Sequence, residues 1–399
     1  MNVLMLSDVY FPRVNGVSTS IRTLALGLVR LGHRVTLVAP DYEGAGDEAA
    51  FELIRLPSRR IFFDPEDRLI RATALDHAER RLLVGAFDVI HVHTPFQAHR
   101  LGVRLRRATG APLIETYHTH FESYVAHYLP WAPAAWLRFA ARALTRRLCR
   151  AADHLVAPSV QMVEVLRGYG IDTPTTVIPT GVDPAEFTGG SGARFRSRHG
   201  IARHRPVIVT ISRLAQEKNI AFLLEVARRL IGWFPEMLFV VAGEGPDAQR
   251  LRRIADELGL GGHVRFFGNL ERKAELLDCY RAGDVFVFAS PTETQGLVLI
   301  EAMSLGVPIV STAVLGTASV LANARSARVS PEEPVAFARA VAELLDNPGL
   351  REVLSALGPE DARRWHAPPL VERMAEIYQR LAGERAPSRR GGLDELSAQ

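Results

Sequence analysis

Along the first half of this chain, short unbroken apolar runs alternate with longer stretches in which apolar residues recur every three or four positions. The short runs predict strands at 3–7, 35–39, 52–56, 89–92, 113–116, 154–157 and 176–178. The longer stretches predict helices at 18–31, 66–84, 97–108 and 134–150. The second half restarts the pattern, with strands at 207–211, 238–242, 264–267, 285–289 and 308–311. Its helices fall at 221–231, 248–258, 273–282 and 297–305, and a last helical stretch covers about 361–381. Strands apolar at every position are buried on both faces, so the class is α/β with parallel sheets wrapped by helices. Thr188-Gly-Gly-Ser-Gly-Ala193 is the most flexible short segment and follows the rigid turn Pro179-Thr-Gly-Val-Asp-Pro184. Two doubly wound, Rossmann-like domains, 1–187 and 188–360, are therefore expected to face each other across a cleft. The helix 361–382 could pack on either, and the tail 383–399 is expected to be disordered.

Composition narrows the class. Of 399 residues, 47% are hydrophobic and 23% charged, as in an ordinary soluble protein, and the length points to more than one core. Two cysteines, Cys149 and Cys279, both in predicted helices, argue for a reducing compartment and against a disulfide scaffold. The start, MNVLMLSDVYF, reads as a first strand rather than a signal peptide. No apolar run approaches the roughly 20 residues that span a bilayer. A cytoplasmic protein is expected.

The formal charge is +4, yet Arg138, Arg142, Arg146 and Arg150 recur on one predicted helix beside Leu137, Ala141, Leu144 and Leu148. Trp131 and Trp136 lie close by. Either this is a solvated helix face, or it is a peripheral surface that rests on anionic membrane. No zinc-finger, RNA-recognition or helix-turn-helix signature is present, so nucleic acid is not an expected partner.

The chemistry concentrates in Pro291-Thr-Glu-Thr-Gln-Gly-Leu-Val-Leu-Ile-Glu301. Two carboxylates, Glu293 and Glu301, flank a turn that leaves a buried strand and opens an apolar helix. A helix N-terminus with bare N–H groups favours phosphate. A carboxylate just before it would be repelled by phosphate, so Glu293 is assigned to hydroxyl groups. Polyol plus diphosphate describes a nucleotide sugar.

Four other segments bear on the site. In Val14-Asn-Gly-Val17, Gly16 allows close backbone approach to a phosphate or sugar, although an ordinary helix entry has the same pattern. Ser212-Arg-Leu-Ala-Gln-Glu-Lys-Asn219 presents Arg213 and Lys218 after a strand; two cations suit a leaving diphosphate, and loop salt bridges are the alternative. Gly243-Glu-Gly-Pro-Asp-Ala248 matches a dinucleotide fingerprint but lacks the acidic ribose ligand downstream, and is read as a decoy. His118 and His120 end one strand, and His91 and His93 another. They fit no standard zinc spacing and no metal is expected. His118 and His120 are read as sugar or acceptor contacts, and His91 and His93 as satisfied structural histidines.

Together these segments resemble the retaining glycosyltransferases of family 4, which have the GT-B fold. The resemblance is carried by the E-x7-E pair (Glu293, Glu301), S-R-L-x-x-E-K-N, A-G-E-G-P, V-x-F-x-G from Val264 to Gly268, E-A-M-S-L-G-V-P-I-V and P-T-G-V-D-x-x-x-F. It implies that Gly16 lies against the donor phosphates and sugar, and that His118 contacts the transferred sugar near the reacting centre. Arg213 and Lys218 would hold the diphosphate and Glu293 the sugar hydroxyls. Gln295, Gly296 and Leu297 would lie near sugar and phosphates, and Glu301 would bind the ribose. The final helix would cross back onto the first domain. No cofactor or metal is implied beyond the nucleotide-diphosphate donor, and the acceptor would be a lipid or glycan. One departure stands out: Ala313-Val-Leu-Gly-Thr-Ala318 replaces a common Gly-Gly-x-x-E segment. Tyr117-His-Thr-His-Phe-Glu-Ser-Tyr124 is similar to a subgroup that glycosylates membrane lipids, transferring glucose or mannose. A sugar-nucleotide epimerase of the same fold and a non-catalytic glycan- or nucleotide-binding protein are the alternatives.

Overall fold

A computed structural model describes residues 1–42, 46, 50–60, 68–119, 122, 134–271 and 274–384. These form two compact units. The first takes the residues up to Gly181, apart from Glu122 and Ala134, and those from Ala367 onward; the second runs from Val182 to His366. The chain thus divides at Gly181/Val182, and the glycine-rich run 188–193 lies inside the second unit.

The first unit is a seven-stranded sheet in the order β3-β2-β1-β6-β7-β8-β9. Its strands are β1 (Asn2–Leu6), β2 (Arg34–Pro40), β3 (Glu52–Leu56), β6 (Val89–Val92), β7 (Leu113–Thr116), β8 (His154–Ala157) and β9 (Thr175–Val177). Every pairing in it is parallel. The second unit is a six-stranded parallel sheet, β12-β11-β10-β13-β14-β15. It comprises β10 (Val207–Ile211), β11 (Leu238–Ala242), β12 (Val264–Phe267), β13 (Val285–Phe288), β14 (Ile309–Ser311) and β15 (Ala327–Val329). Two doubly wound α/β units are what the GT-B expectation requires.

Strand periodicity builds a core on each face of each sheet. In β1, Val3 and Met5 pack with Ile21, Leu24 and Leu28, while Leu4 and Leu6 pack with Leu75, Leu101 and Leu105. In β10, Val207, Val209 and Ile211 enter one cluster and Ile208 the other.

Three local expectations are corrected. The single helix expected at 66–84 is a strand followed by a helix: β5 (Arg68–Ile70) pairs antiparallel with β4 (Ser58–Arg60), and the helix Ala72–Leu83 follows. A cross-strand partner overrides the helical period there. The strand Ala327–Val329 and the helices Pro334–Asp346 and Pro348–Ala362 were not among the expected elements. The helix expected from about 361 starts at Ala367, because His366 is extended and the pair Pro368-Pro369 occupies a first helical turn, where missing N–H groups cost least. Tail residues from 385 onward lie outside the described residues.

The last helix, Ala367–Gly383, packs on the first unit. Leu370, Val371, Met374 and Tyr378 share a cluster with Ile21, Leu24 and Leu28 of the helix Gly16–Arg30. The fully buried Tyr378 hydroxyl lies 2.6 Å from His91 Nδ1. Tyr378→Phe is expected to cost about 1–3 kcal/mol by orphaning a buried imidazole nitrogen. Urea unfolding of the variant should show a lower midpoint with an unchanged slope; an unaltered midpoint would mean the contact anchors nothing.

Candidate active site

In open parallel sheets the strand order reverses at one point, and the loops beyond the carboxyl ends there leave a crevice. In the second unit this point lies between β10 and β13, which are hydrogen-bonded neighbours. The loop after β10 carries Arg213 and Lys218; the loop after β13 carries Glu293, Gln295 and Gly296. The two loops are fastened together. Ser290 Oγ donates to the Glu217 carbonyl at 2.8 Å, Thr292 Oγ1 to the same oxygen at 3.5 Å, and Asn219 Nδ2 to the Ala289 carbonyl at 3.3 Å. Lys218 Nζ donates to Glu293 Oε1 in an ion pair, and both side chains are less than one-fifth exposed. Arg213 is half-buried on the same loop.

Gly296 has φ +89° and caps the helix Leu297–Ser304, which no side chain caps. That left-handed geometry favours glycine, and a helix start leaves its first N–H groups without partners from a preceding turn. Gln295 is buried just before it. Glu301, within the helix and 7% exposed, accepts a 2.7 Å hydrogen bond from the buried Tyr280 hydroxyl.

Two supports were not legible in sequence. Gly316 N donates to the Glu293 carbonyl at 2.8 Å, and a Cβ there would stand 2.1 Å from the Thr294 backbone. The preceding Leu315 takes φ +50°, a strained value for a branched side chain. The departing segment thus braces the Glu293 loop by its backbone. The second support is the Gly243–Gly245 turn. Cβ atoms on those glycines would lie 2.0 Å from the Ser212 carbonyl and 2.3 Å from the Leu214 carbonyl. Leu214 N donates to the Glu244 carbonyl at 2.8 Å. The decoy fingerprint is a strut under the Arg213 loop. Glu244 also accepts from Asn269 Nδ2 at 3.1 Å and packs against Gly268.

In the first unit the strand order reverses between β1 and β6. Asp8, beyond β1, accepts from Thr94 Oγ1 at 2.8 Å and from the Gln97 and Ala98 amides, and burial pushes its pKa up to about 6. Gly16 is the first residue of the helix Gly16–Arg30; Asn15 caps it by accepting from Ser18 N at 2.8 Å.

Beyond β6 and β7 the histidines gather. His93 Nδ1 lies 3.1 Å from His118 Nε2, with the rings stacked. His91 is satisfied at both nitrogens, by Tyr378 and by Thr116 Oγ1 at 2.7 Å. Burial lowers the pKa of His118 to about 4 and of His91 to about 3, and drives that of His93 well down, so the cluster is neutral near pH 7. Among the described residues no group of three or more His, Cys, Asp or Glu is placed to hold a metal ion. His120, Tyr124 and Trp131 lie outside the described residues. Cys149 and Cys279 are buried free thiols.

A family model for Glycosyltransferase Family 4 matches residues 14–186, and one for Glycosyl transferases group 1 matches residues 193–361. The alpha-monoglucosyldiacylglycerol synthase of Streptococcus pneumoniae is 32% identical over 317 residues, 78% of this chain and 71% of that protein. The GDP-mannose-dependent alpha-mannosyltransferase of Mycobacterium tuberculosis is 27% identical over 394 residues, 96% of this chain and 98% of that one. Among solved structures, the sucrose-phosphate synthase from Thermosynechococcus elongatus shares the fold with a TM-score of 0.79 at 20% identity, covering 96% of this chain and 100% of that chain.

The neutral histidines make stability pH-dependent. Their folded pKa values lie below 6.5, so the stability they contribute is present above pH 6.5 and is lost as pH falls through about 4 for His118 and about 3 for His91. Asp8 runs the other way: its folded pKa of about 6 exceeds 3.8, so its contribution is full below 3.8 and lost as pH rises through 6. Three groups outweigh one. Acidification from pH 6.5 to about 4.5 should lower the thermal midpoint by about 5 °C or more. A midpoint that rises over that range, followed by calorimetry, would contradict the neutral cluster.

Proposed function

The chain belongs to glycosyltransferase family 4, and from that premise we propose that it is a retaining hexosyltransferase that moves glucose or mannose from a nucleotide-diphosphate sugar to a hydroxyl of a membrane lipid or glycan. The observation that supports this best is the Lys218–Glu293 pair at the switch point of the second sheet. It sets a cation for diphosphate directly beside a carboxylate for sugar hydroxyls, which is the chemistry of the bond that breaks.

In this reading Lys218 and Arg213 neutralise charge that grows on the leaving diphosphate. The Gly296–Leu297 helix terminus adds N–H donors for phosphate. Glu293 orients the sugar through its hydroxyls, with Gln295 beside it. Glu301, steadied by Tyr280, serves the ribose, and backbone near 268–270 serves the base. Gly16 gives phosphate or sugar close access to a helix terminus in the first unit. His118, neutral near pH 7, hydrogen-bonds the transferred sugar without placing a positive charge beside a developing oxocarbenium centre. No enzymic nucleophile is required: the acceptor hydroxyl attacks from the face the diphosphate leaves, and a donor phosphate oxygen takes its proton. The S. pneumoniae relative is named for a diacylglycerol product, which favours a lipid acceptor.

A lipid acceptor calls for a membrane contact. No helix among the described residues is long and apolar enough to cross a membrane. The helix Ala134–Cys149 buries Ala141, Thr145 and Cys149 and exposes Trp136 and Phe139. Trp136, Phe139 and Ala143 follow helical spacing between Arg138, Arg142 and Arg147. An apolar stripe between cations suits peripheral docking on anionic lipid, on the inner face of the cytoplasmic membrane.

Two experiments test this. Nucleoside diphosphate release would be measured from UDP-, GDP- and ADP-hexoses, with and without a bacterial lipid extract. Release that needs one donor and the extract is expected, and Glu293→Gln should reduce it on the order of 10²–10³-fold or more. Near-normal turnover by that variant rules out the site assignment. Separately, charge reversal at Arg138, Arg142 and Arg147 should abolish sedimentation with phosphatidylglycerol vesicles; unchanged sedimentation dismisses the membrane contact.

A further inference from the structure

From the sequence, His93 is expected to be a satisfied structural histidine. The structure gives it two different nitrogens with two different tasks. Its backbone N–H donates to the Leu6 carbonyl at 2.9 Å, which continues the sheet one residue past β6 and fixes where the ring starts. The side chain is 2% exposed. On one side the His91 ring lies against it, centroids 4.0 Å apart, and His91 is itself locked between Tyr378 and Thr116. The His93 ring therefore has little freedom.

Nδ1 of this ring meets His118 Nε2 at 3.1 Å. Two neutral imidazoles share one proton across such a contact, so one nitrogen must donate and the other accept. The tautomer of His118 is thereby coupled to that of His93. Nε2 of His93 is buried and meets no hydrogen-bond partner among the described residues. It belongs to a ring that lines a cavity of about 30 Å³, together with Ser20, Thr23, Thr116 and Thr180. Such a space holds one or two waters, which need polar partners. Hydroxyl groups can both give and accept, and Thr180 Oγ1 already donates to Ser20 Oγ at 2.9 Å.

We propose that His93 is a positioning residue: it fixes the ring orientation and the tautomer of His118 through the Nδ1–Nε2 hydrogen bond, while water beside the cavity's hydroxyl groups serves its far nitrogen. This rests on the reading that His118 contacts the transferred sugar. The arrangement matches the way a group behind a functional imidazole sets which of its nitrogens faces the chemistry. His93 itself touches no reacting atom in this scheme. Its loss should affect turnover more than donor binding.

Three variants of the full chain separate the possibilities. His118→Ala tests the underlying reading. His93→Leu keeps bulk and removes the hydrogen bond. His93→Asn restores an amide near the position of Nδ1. Expected is a fall in kcat of about 10–100-fold for His93→Leu, with donor KM within about threefold, and recovery of most of that loss in His93→Asn. If His118→Ala turns over normally, the role of His118 is wrong and the positioning proposal falls with it, while the transferase reading stands on the turnover itself. If His118→Ala is crippled but His93→Leu matches the parent, the positioning proposal alone is overturned. Should His93→Leu not fold, ¹⁵N shifts of the parent's His118 ring decide: one tautomer is expected, and a mixture sinks the proposal.

Discussion

An ammonium and a carboxylate from two different βα loops meet at the point where the second sheet reverses its strand order, and most of that unit is arranged to keep them there. Lys218 and Glu293 come from opposite sides of the reversal, so no local sequence preference brings them together. Adjacent, parallel β10 and β13 put their carboxyl ends side by side. Ser290, Thr292 and Asn219 then tie the loops through carbonyl oxygens, which hold position whatever the side-chain charge. A partly buried ion pair gains little net stability once desolvation is counted. Its value lies in fixing two opposite charges at one place, with a glycine-capped helix terminus beside them.

The first unit solves a different problem with the same topology. Its reversal between β1 and β6 gathers histidines whose lowered pKa values keep them neutral near pH 7, beside Asp8, whose raised pKa of about 6 still leaves it largely ionised there. A charged site suits a diphosphate. A site of neutral hydrogen-bonding groups suits hydroxyls, whose recognition gains nothing from a net charge and loses specificity to it. The contrast between the units is thus chemical, on one shared topology.

Much of this was legible in the sequence because it is periodic or local. All-apolar strands, the Thr-Gln-Gly turn and the strand-end placement of Arg213, Lys218 and His118 need no long-range information. What escaped depends on contacts distant in sequence. Tyr280 behind Glu301, Tyr378 behind His91, and Gly316 behind Glu293 are ordinary residues until the sheet places them. The 243–248 turn reads as a dinucleotide fingerprint, and what its glycines meet in the fold is the backbone of the Arg213 loop, distant in sequence. The break before Ala367 was missed because helical period alone ran through it, while Pro368 and Pro369 carried the signal for a fresh start.

The departing segment 313–318 shows how a site tolerates sequence change. Its contact with the Glu293 loop is a backbone hydrogen bond and a close backbone approach at Gly316, neither of which depends on neighbouring side chains. The requirement falls on the glycine and on the turn before it. Leu315 meets the turn at the cost of a left-handed backbone that a branched residue rarely adopts. Strain of that kind persists when surrounding contacts over-determine the backbone, and here the Gly316–Glu293 bond and the buried Thr317 hydroxyl, bonded to the Thr312 and Val314 carbonyls, do so. The Glu293 loop is therefore braced by main chain at Gly316, on a turn that the Thr317 hydroxyl holds.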